Sequence, residues 1–478
     1  MSVSFALLLS LVSAATAPQC RPAATASPQV VIGRAIDALG LQSVGTGIRT
    51  STVTNVLNMA YQSDRMYPPY LWSSRGLRLA MEWERGLLRM EQGTAPNTVA
   101  FLSDSVRRGA VSSRGAMLLA PRLAGLLDER AMDPWTVLAD WRGSGDLRVV
   151  EECMYRDYWR VVLGRTTQGG AERLYLDPKT GVPIKLERRE PHYLWGDVNA
   201  EFVWSIWTPV KGSRALAPQF AFRIVDGETD EQRVLEKYAM VARDSAGVMS
   251  LPADATPAAN PVIANPDTVR VAANTFLLVT RAYTNVVTLQ RDTVYVLDAQ
   301  TGPERAQRDS AWIGKLFPGR HPIVLVVTDL AWPHIAGMRY WVGQGATVVS
   351  HPASRTFLER VINRKWTMQP DVLEQRRSKV RFTFRPVNGS LSLAGGTIQL
   401  RPIDGAGSEG ALMAFLPGER FLYAGDFIQG GGPESFSATY AREVAAAVSR
   451  AGFIPVRFAA MHLPLSDWAS LSRFTGQP

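Results

Sequence analysis

The stretch VVTDLAWPHIAG, from Val326 to Gly337, joins an apolar, strand-like run to side chains that can do chemistry. Asp329 closes the apolar run, and His334 follows within the next turn of chain. A carboxylate and an imidazole at the end of a buried strand can bind a divalent metal ion or move a proton. The stretch therefore predicts a metal or acid–base site, or what remains of one.

Other common catalytic motifs do not compete with this stretch. The sequence holds no G-x-S-x-G turn, no phosphate-binding P-loop and no dinucleotide-binding glycine fingerprint. Its net charge of +9 comes mainly from scattered arginines. Scattered basic residues indicate a solvated surface, so we predict no nucleic-acid partner.

The N-terminus predicts export. MSVSFALLLSLVSAATA, residues 1–17, has the apolar core and the small residues of a cleaved secretory signal. It is too short to span a bilayer, and we predict no integral membrane span and a periplasmic or extracellular protein. Cys20 and Cys153 are the only cysteines, so at most one disulfide can form, and the sequence leaves open whether it does.

The length of 478 residues predicts two domains. A stretch rich in proline, alanine and asparagine, residues 249–268, has no apolar period and reads as the linker between them. Residues 29–248 are predicted to form a mostly antiparallel β domain with helices, and residues 269–478 a second domain. The expected fold class is α+β.

Helices come before a run of strands in the predicted first domain. VVIGRAIDALG predicts a helix that stops at Gly40, and we expect further helices at Leu77–Arg89 and Arg114–Arg130. YLDPKTGVPIKLER predicts a hairpin. That phrase resembles the LolA-like lipoprotein-carrier domains, a resemblance that implies a concave apolar face able to hold an acyl chain. A sheet that packs only on its own helices is the alternative.

The predicted second domain alternates strands and helices in a different order. Strands are expected up to Asp298, then a helix near Pro303–Phe317, the strand IVLVVTD, and further helices and strands that end in PVRFAAMH. Two sheets with helices outside, an αββα sandwich, fit that order. Three landmarks, VYVLDAQTG, VVTDLAWPHIAG and AAMHLPLSDW, occur in the order of the metallo-β-lactamase fold superfamily, which residues Thr275–Trp468 resemble.

The resemblance implies which metal ligands this chain has lost. In active members the metal loop reads T-H-x-H-x-D-H, and here Asp329 stands for the first histidine, Ala331 for the second and Pro333 for the aspartate. Gly407 falls where another histidine is expected. One of the two metal sites is therefore expected to be lost.

The same resemblance implies which ligands remain. His334, Asp426 and His462 match three of the four ligands of the other site. They are our candidate metal ligands, with zinc as the candidate ion, and Asp329 is the candidate catalytic residue, either as an auxiliary donor or as a general base.

Three hypotheses for function follow. The first is a metallo-hydrolase-like protein with a degraded dinuclear site and little or no activity. The second is a mononuclear zinc hydrolase of an ester, lactam or thioester. The third is an exported module that binds a lipid or a hydrophobic peptide, with the second domain as a docking platform. Substrate and oligomeric state are left open.

Overall fold

The chain forms two compact units in the computed structural model. Unit 1 comprises Met1–Asn55, Arg75–Arg189 and Ala200–Ala258, and unit 2 comprises Val56–Ser74, Glu190–Asn199 and Ala259–Pro478. The described residues are 19–23, 27–58, 72–92, 99–103, 108–112, 117–119, 124–167, 170–242, 249, 256–257, 265–280, 283–428, 430–432 and 435–476. The predicted signal peptide and most of the predicted linker lie outside these residues.

One large sheet dominates the first half of the chain. Its strands run in the spatial order β1-β8-β9-β10-β11-β12-β13-β14-β2-β3-β4-β5-β6-β7-β15. They are β1 (Cys20–Arg21), β2 (Ile48–Asn58), β3 (Trp72–Glu82), β4 (Leu87–Gln92), β5 (Val99–Ser103), β6 (Arg108–Ser112), β7 (Met117–Leu119), β8 (Arg148–Tyr155), β9 (Tyr158–Thr167), β10 (Gly170–Leu176), β11 (Pro183–His192), β12 (Gly196–Pro209), β13 (Leu216–Val225), β14 (Glu228–Val241) and β15 (Thr256–Pro257).

Three helices accompany this sheet: α1 (Pro28–Ala38), α2 (Ala124–Ala131) and α3 (Pro134–Arg142). Ile32 of α1 and Trp135 and Trp141 of α3 share one buried cluster with strand residues such as Leu174 and Phe202. Helices α1 and α3 therefore bury apolar side chains against the sheet. Helix α1 agrees with the predicted helix, and Gly40 follows it with φ 66°, a left-handed conformation that glycine adopts without strain.

The predicted helix over Leu77–Arg89 is wrong. These residues form β3 and β4, which pair antiparallel with Leu79 opposite Met90. Leu77, Leu79 and Met81 alternate with exposed or half-buried neighbours and are all buried, which is the period of a strand with one face in the core. The period-two pattern outweighs the helix propensity of the charged residues elsewhere in Leu77–Arg89, such as Glu82 and Glu84.

The second predicted helix, over Arg114–Arg130, is also wrong in its first half. Met117–Leu119 is strand β7, and the helix α2 begins only at Ala124. The predicted hairpin is present: β10 and β11 pair antiparallel. Its turn is held by Asp177, whose Oδ1 accepts hydrogen bonds from the backbone N–H groups of Lys179 and Thr180 at 3.0 and 2.9 Å.

The second half of the chain builds two larger sheets and a short ribbon. The sheet orders are β16-β17-β18-β19-β20-β21-β22, β23-β24-β25-β26-β29-β30 and β27-β28. The strands are β16 (Asp267–Ala272), β17 (Thr275–Val279), β18 (Thr284–Gln290), β19 (Thr293–Leu297), β20 (Ile323–Val326), β21 (Thr347–Ser350), β22 (Thr383–Pro386), β23 (Leu391–Leu393), β24 (Ile398–Pro402), β25 (Leu412–Leu416), β26 (Phe421–Tyr423), β27 (Gly430–Gly432), β28 (Ser435–Phe436), β29 (Arg457–Ala460) and β30 (Leu463–Asp467). The helices are α4 (Pro303–Leu316), α5 (Trp332–Ile335), α6 (Met338–Gly343), α7 (Arg355–Asn363), α8 (Val372–Arg376), α9 (Ala438–Ala451) and α10 (Trp468–Thr475).

The two larger sheets face each other across one apolar core. Leu412 and Ala414 of β25 lie in a cluster with Val286 and Val326 of the first sheet. Met413, between them in sequence, points the other way into a second cluster. Because successive side chains of a strand alternate between faces, β25 is buried on both sides.

Helices cover the outer surface of the second sheet. Val444 of α9 and Leu471 of α10 pack with Phe415 and Phe458 on the face turned away from the first sheet. On the other side of the unit, α6 packs on β20, and α4 packs on α6. Among the described residues, no helix is both long and apolar enough to cross a membrane.

Candidate metal centre

Two acidic side chains lie at one edge of the sheet β16–β22, the first sheet of unit 2. Strands β19 and β20 are parallel neighbours, with Leu297 opposite Val326. Asp298 directly follows β19, and Asp329 follows β20 by three residues. Because parallel strands end at the same edge of a sheet, both carboxylates lie at that edge, and the chain continues from there into α5.

The remaining candidate ligands lie in loops of the sheet β23-β24-β25-β26-β29-β30, the second sheet of unit 2. Asp426 lies three residues beyond the end of β26, and His462 lies in the turn between β29 and β30. The two loops are joined because Met461 N–H donates to the Gly425 carbonyl at 2.8 Å. Thr284 N–H donates to the Met461 carbonyl at 2.7 Å, which ties the same turn to β18.

Three candidate ligands converge at this edge. The ligand atoms of His334, Asp426 and His462 all lie within 4.8 Å of one another. Nε2 of His462 is 3.1 Å from Oδ1 of Asp426, and Nε2 of His334 is 4.0 Å from Oδ2 of Asp426. Ligands of a tetrahedral zinc ion lie roughly 3.3 Å apart, given zinc bonds of about 2.0–2.1 Å, so the spacing suits one such ion.

The burial of these side chains also suits a metal site. Oδ1 of Asp426 is buried and has no hydrogen-bond partner in the part of the chain that the structure describes, although His462 is near it. A buried carboxylate oxygen without a hydrogen bond is costly unless a cation or another donor satisfies it. His334 is almost fully buried, whereas the side chain of His462 is 37% exposed, so the cluster opens to solvent on the His462 side.

Asp329 lies against the other nitrogen of His334. Its Oδ1 accepts a hydrogen bond from the Ala331 backbone N–H at 2.9 Å and is also bonded to Nδ1 of His334. Its Oδ2 is 3.3 Å from the Thr328 hydroxyl. Asp329 is fully buried and is not part of the three-ligand cluster.

Asp298 anchors the strand end that carries Asp329. Its two oxygens accept hydrogen bonds from the backbone N–H and the hydroxyl of Thr328, each at 2.8 Å. The Tyr423 hydroxyl donates to Oδ2 of Asp298 at 3.0 Å. Burial, followed by the charge of Asp329, raises the pKa of Asp298 to about 7.

The electrostatics of His334 reflect its acidic neighbours. Burial by itself would lower the pKa of this imidazole, but the charge and the hydrogen bond of Asp329, with a further contribution from Asp426, raise the pKa to about 9. On the exposed side, the ring of Tyr283 lies 5.0 Å from the ring of His462, centroid to centroid. Burial and the charge of Asp426 raise the pKa of Tyr283.

Another side chain lies close to Gly407, the position where the family resemblance leads us to expect a histidine. A β-carbon at Gly407 would lie 2.8 Å from Cε1 of Tyr440. The Gly407 backbone N–H donates to Glu443 of α9 at 3.1 Å, and the Ser408 hydroxyl donates to the same carboxylate at 2.5 Å. A histidine at this position therefore does not fit unless the ring of Tyr440 is displaced.

Four residues around the cluster went unnoticed as site residues in the sequence: Thr328, Tyr423, Tyr283 and Asp298. Only Asp298 had a usable signal, because it ends a strand parallel to the one that ends near Asp329. Tyr423 and Tyr283 make their contacts across the two sheets, and Thr328 contacts the acids at the ends of two neighbouring strands; no local pattern marks any of these three.

Comparison with solved structures finds metallo-β-lactamases. DIM-1 metallo-β-lactamase is similar at 16% identity over 45% of this chain and 96% of that chain, with a TM-score of 0.34. The enzyme from Erythrobacter litoralis, solved with β-mercaptoethanol in its active site, is similar at 15% identity over 44% and 95%, with a TM-score of 0.34. That from Hirschia baltica is similar at 10% identity over 45% and 99%, with a TM-score of 0.34. Neither a protein-family model nor a curated protein matches the sequence.

Proposed function

We propose that unit 2 is a metallo-β-lactamase-like domain that keeps one of two metal sites and binds a single zinc ion there. Support comes from the order of its sequence landmarks and from its two facing sheets with helices outside. The observation that carries the proposal is the convergence of His334, Asp426 and His462, which are far apart along the chain, within 4.8 Å at one sheet edge.

The donor set defines the chemistry of this site. His334 and His462 would each supply a nitrogen, and Asp426 an oxygen that otherwise lacks a hydrogen bond. A zinc ion with three protein ligands and an open position lowers the pKa of bound water and polarises a carbonyl group. The exposed side of His462 is where a substrate would approach.

The lost ligands limit the activity. The three positions of the family pattern that now carry Asp329, Ala331 and Gly407 no longer offer the ligands of a second ion, and Pro333 replaces the fourth ligand of the site that remains. Two-metal sites stabilise both the attacking and the leaving oxygen, whereas a single ion stabilises the transition state less. We therefore propose a hydrolase-like protein with little or no activity on esters, lactams or thioesters.

Metal content tests the proposal. Elemental analysis of the purified protein is expected to find about one zinc ion per chain, and His334→Ala and His462→Ala are each expected to abolish it. His321→Ala is the matched control, since this histidine lies between α4 and β20 and is bonded to Asp292 at 2.9 Å. No zinc in any preparation, or zinc unaffected by both site variants, would overturn the proposal.

Activity is a separate measurement. Hydrolysis of a chromogenic ester, a lactam and a thioester is compared between zinc-loaded wild type and His462→Ala. A rate that exceeds the variant's by 100-fold or more on any of the three would favour an active mononuclear hydrolase. Equal rates would support the inactive form.

We also propose export, which the disulfide between Cys20 and Cys153 supports because such bonds persist in oxidising compartments. Cell fractionation tests it.

The lipid- or peptide-binding alternative for unit 1 stays a prediction. The apolar side chains of α1 and α3 pack into the sheet core, which favours a sheet that packs on its own helices. Mass spectrometry of co-purified lipid decides between the two.

A further inference from the structure

We infer that Asp329 is a positioning residue of the metal site, which holds the Nδ1–H of His334 and so presents Nε2 of that ring to the metal. This inference rests on the proposed zinc site. It gives Asp329 a different role from that of a general base. It also means that Asp329, which stands where the family pattern has a metal ligand, still contributes to the metal site.

The two side chains are fixed against each other in a closed environment. Asp329 is fully buried and His334 is 1% exposed. Nδ1 of His334 is bonded to Oδ1 of Asp329, while Nε2 of the same ring faces Asp426 at 4.0 Å. The two ring nitrogens therefore have separate partners, one behind the site and one in it.

The orientation of Asp329 is itself held from two sides. The Ala331 N–H donates to Oδ1 at 2.9 Å, and the Thr328 hydroxyl lies 3.3 Å from Oδ2. Thr328 is in turn held by both oxygens of Asp298 at 2.8 Å. Across the site, Gly425 lies close to the same carboxylate, because an added β-carbon there would be 3.4 Å from Oδ2 of Asp329.

This arrangement has a chemical consequence for the ligand. A neutral imidazole carries one N–H, and the nitrogen that carries it cannot bind a metal. A carboxylate at Nδ1 stabilises the tautomer with the proton there, which leaves the lone pair on Nε2. Partners of this kind orient metal-ligating histidines, and their loss typically costs about 10- to 100-fold in metal affinity.

The same contacts argue against a general base. A general base must reach the proton it removes, directly or through one water. Both oxygens of Asp329 are directed at the backbone of Ala331, the Thr328 hydroxyl and the ring of His334. Its carboxylate is therefore engaged behind His334, away from the exposed His462 side.

Zinc affinity tests the inference when it is measured by competition with a chromophoric chelator at pH 9.5, where His334 is mostly deprotonated and proton competition no longer masks the effect of Asp329. Asp329→Ala is expected to bind zinc about 10- to 100-fold more weakly than wild type. Asp329→Asn keeps an oxygen that can accept from Nδ1–H, and it is expected to recover part of that loss. Asp309→Asn is the matched control, because it also removes a buried acid of unit 2, one that pairs with Arg305 in α4. Its zinc affinity is expected to stay within about twofold of wild type.

A spectroscopic readout separates positioning from folding. In zinc-loaded wild type, nitrogen-15 NMR is expected to find the proton of His334 on Nδ1, a result that needs no variant. Wild type that binds no zinc would end the proposed function. Wild type that binds zinc while Asp329→Ala binds equally well, or a proton on Nε2 of His334, would overturn the positioning role alone.

Discussion

His334 and Asp426 face each other across the candidate site, with Nε2 and Oδ2 4.0 Å apart and both side chains buried. The same imidazole is bonded to Asp329 on its other nitrogen. Two acids around one histidine raise its pKa to about 9, against the opposing effect of burial. In the metal-free protein at neutral pH, His334 is therefore protonated, and a zinc ion must displace that proton.

Zinc binding should consequently depend on pH. Because His334 must lose a proton to bind, the affinity is expected to rise with pH by up to about tenfold per unit, and to level off near pH 9. Isothermal titration calorimetry in buffers of different ionisation enthalpy measures the protons released. A pH-independent affinity between pH 7 and 9 would contradict the protonated state of His334.

The metal-free fold should lose stability in the same pH range. The pKa of His334 in the folded protein is about 9, above the ordinary value of 6.5. Its protonated form therefore stabilises the fold fully below about pH 6.5, and this contribution disappears as the pH rises through 9. Urea unfolding of wild type and of His334→Gln from pH 6 to 9.5 measures it. The difference between the two proteins should shrink as the pH rises, and a constant difference would refute the assignment.

Gly425 should tolerate no side chain. Its φ is 54°, and an added β-carbon would lie 2.4 Å from the Thr328 hydroxyl oxygen. Gly425→Ala combines about 1–2 kcal/mol of backbone strain with about 1–3 kcal/mol of overpacking. Gly452→Ala is the matched control, since Gly452 has φ 65° and open space around its β-carbon position. Denaturant titration should find Gly425→Ala the less stable of the two, and equal losses would mean that the contact with Thr328 is unimportant.

Replacement of Gly407 by histidine should destabilise the protein and should not restore a second metal ion. The new β-carbon would meet the ring of Tyr440 at 2.8 Å, which costs about 1–3 kcal/mol if the ring is displaced. Gly418→His serves as the control because nothing lies within 4 Å of its β-carbon position. Thermal unfolding and zinc stoichiometry are measured together. A stable Gly407→His protein that binds additional zinc would show that the Tyr440 ring is displaced at little cost.

The disulfide should contribute strongly to the stability of unit 1. Cys20 and Cys153 are bonded across paired strands and are separated by 133 residues, so the bond closes a long loop. The loss of unfolded-state entropy predicts about 4–5 kcal/mol of stabilisation. Urea unfolding of the oxidised protein is compared with that of Cys20→Ser/Cys153→Ser. Coincident unfolding curves would argue against a closed bond in the native protein.

Local sequence patterns predicted many elements of unit 2 but failed in part of unit 1. The helix predicted near Pro303–Phe317 is present as Pro303–Leu316, and the strand predicted in IVLVVTD is present as Ile323–Val326. Leu77–Arg89 misled because its charged residues favour helix, whereas Leu79 and Met81 belong to a strand pattern. The alternation was visible there, but the wrong period was preferred.

The sequence alone determined which residue types the site can use, since ligand identity and strand-end position are local properties. His334, Asp426 and His462 were named as ligands because their stretches resemble the metal-binding stretches of the metallo-β-lactamase fold superfamily. Only the tertiary structure decided that these three meet, that Asp329 turns toward Nδ1 of His334, and that Tyr440 fills the space beside Gly407. Those distances arise where two sheets and a helix pack together, and no local period of the chain encodes them.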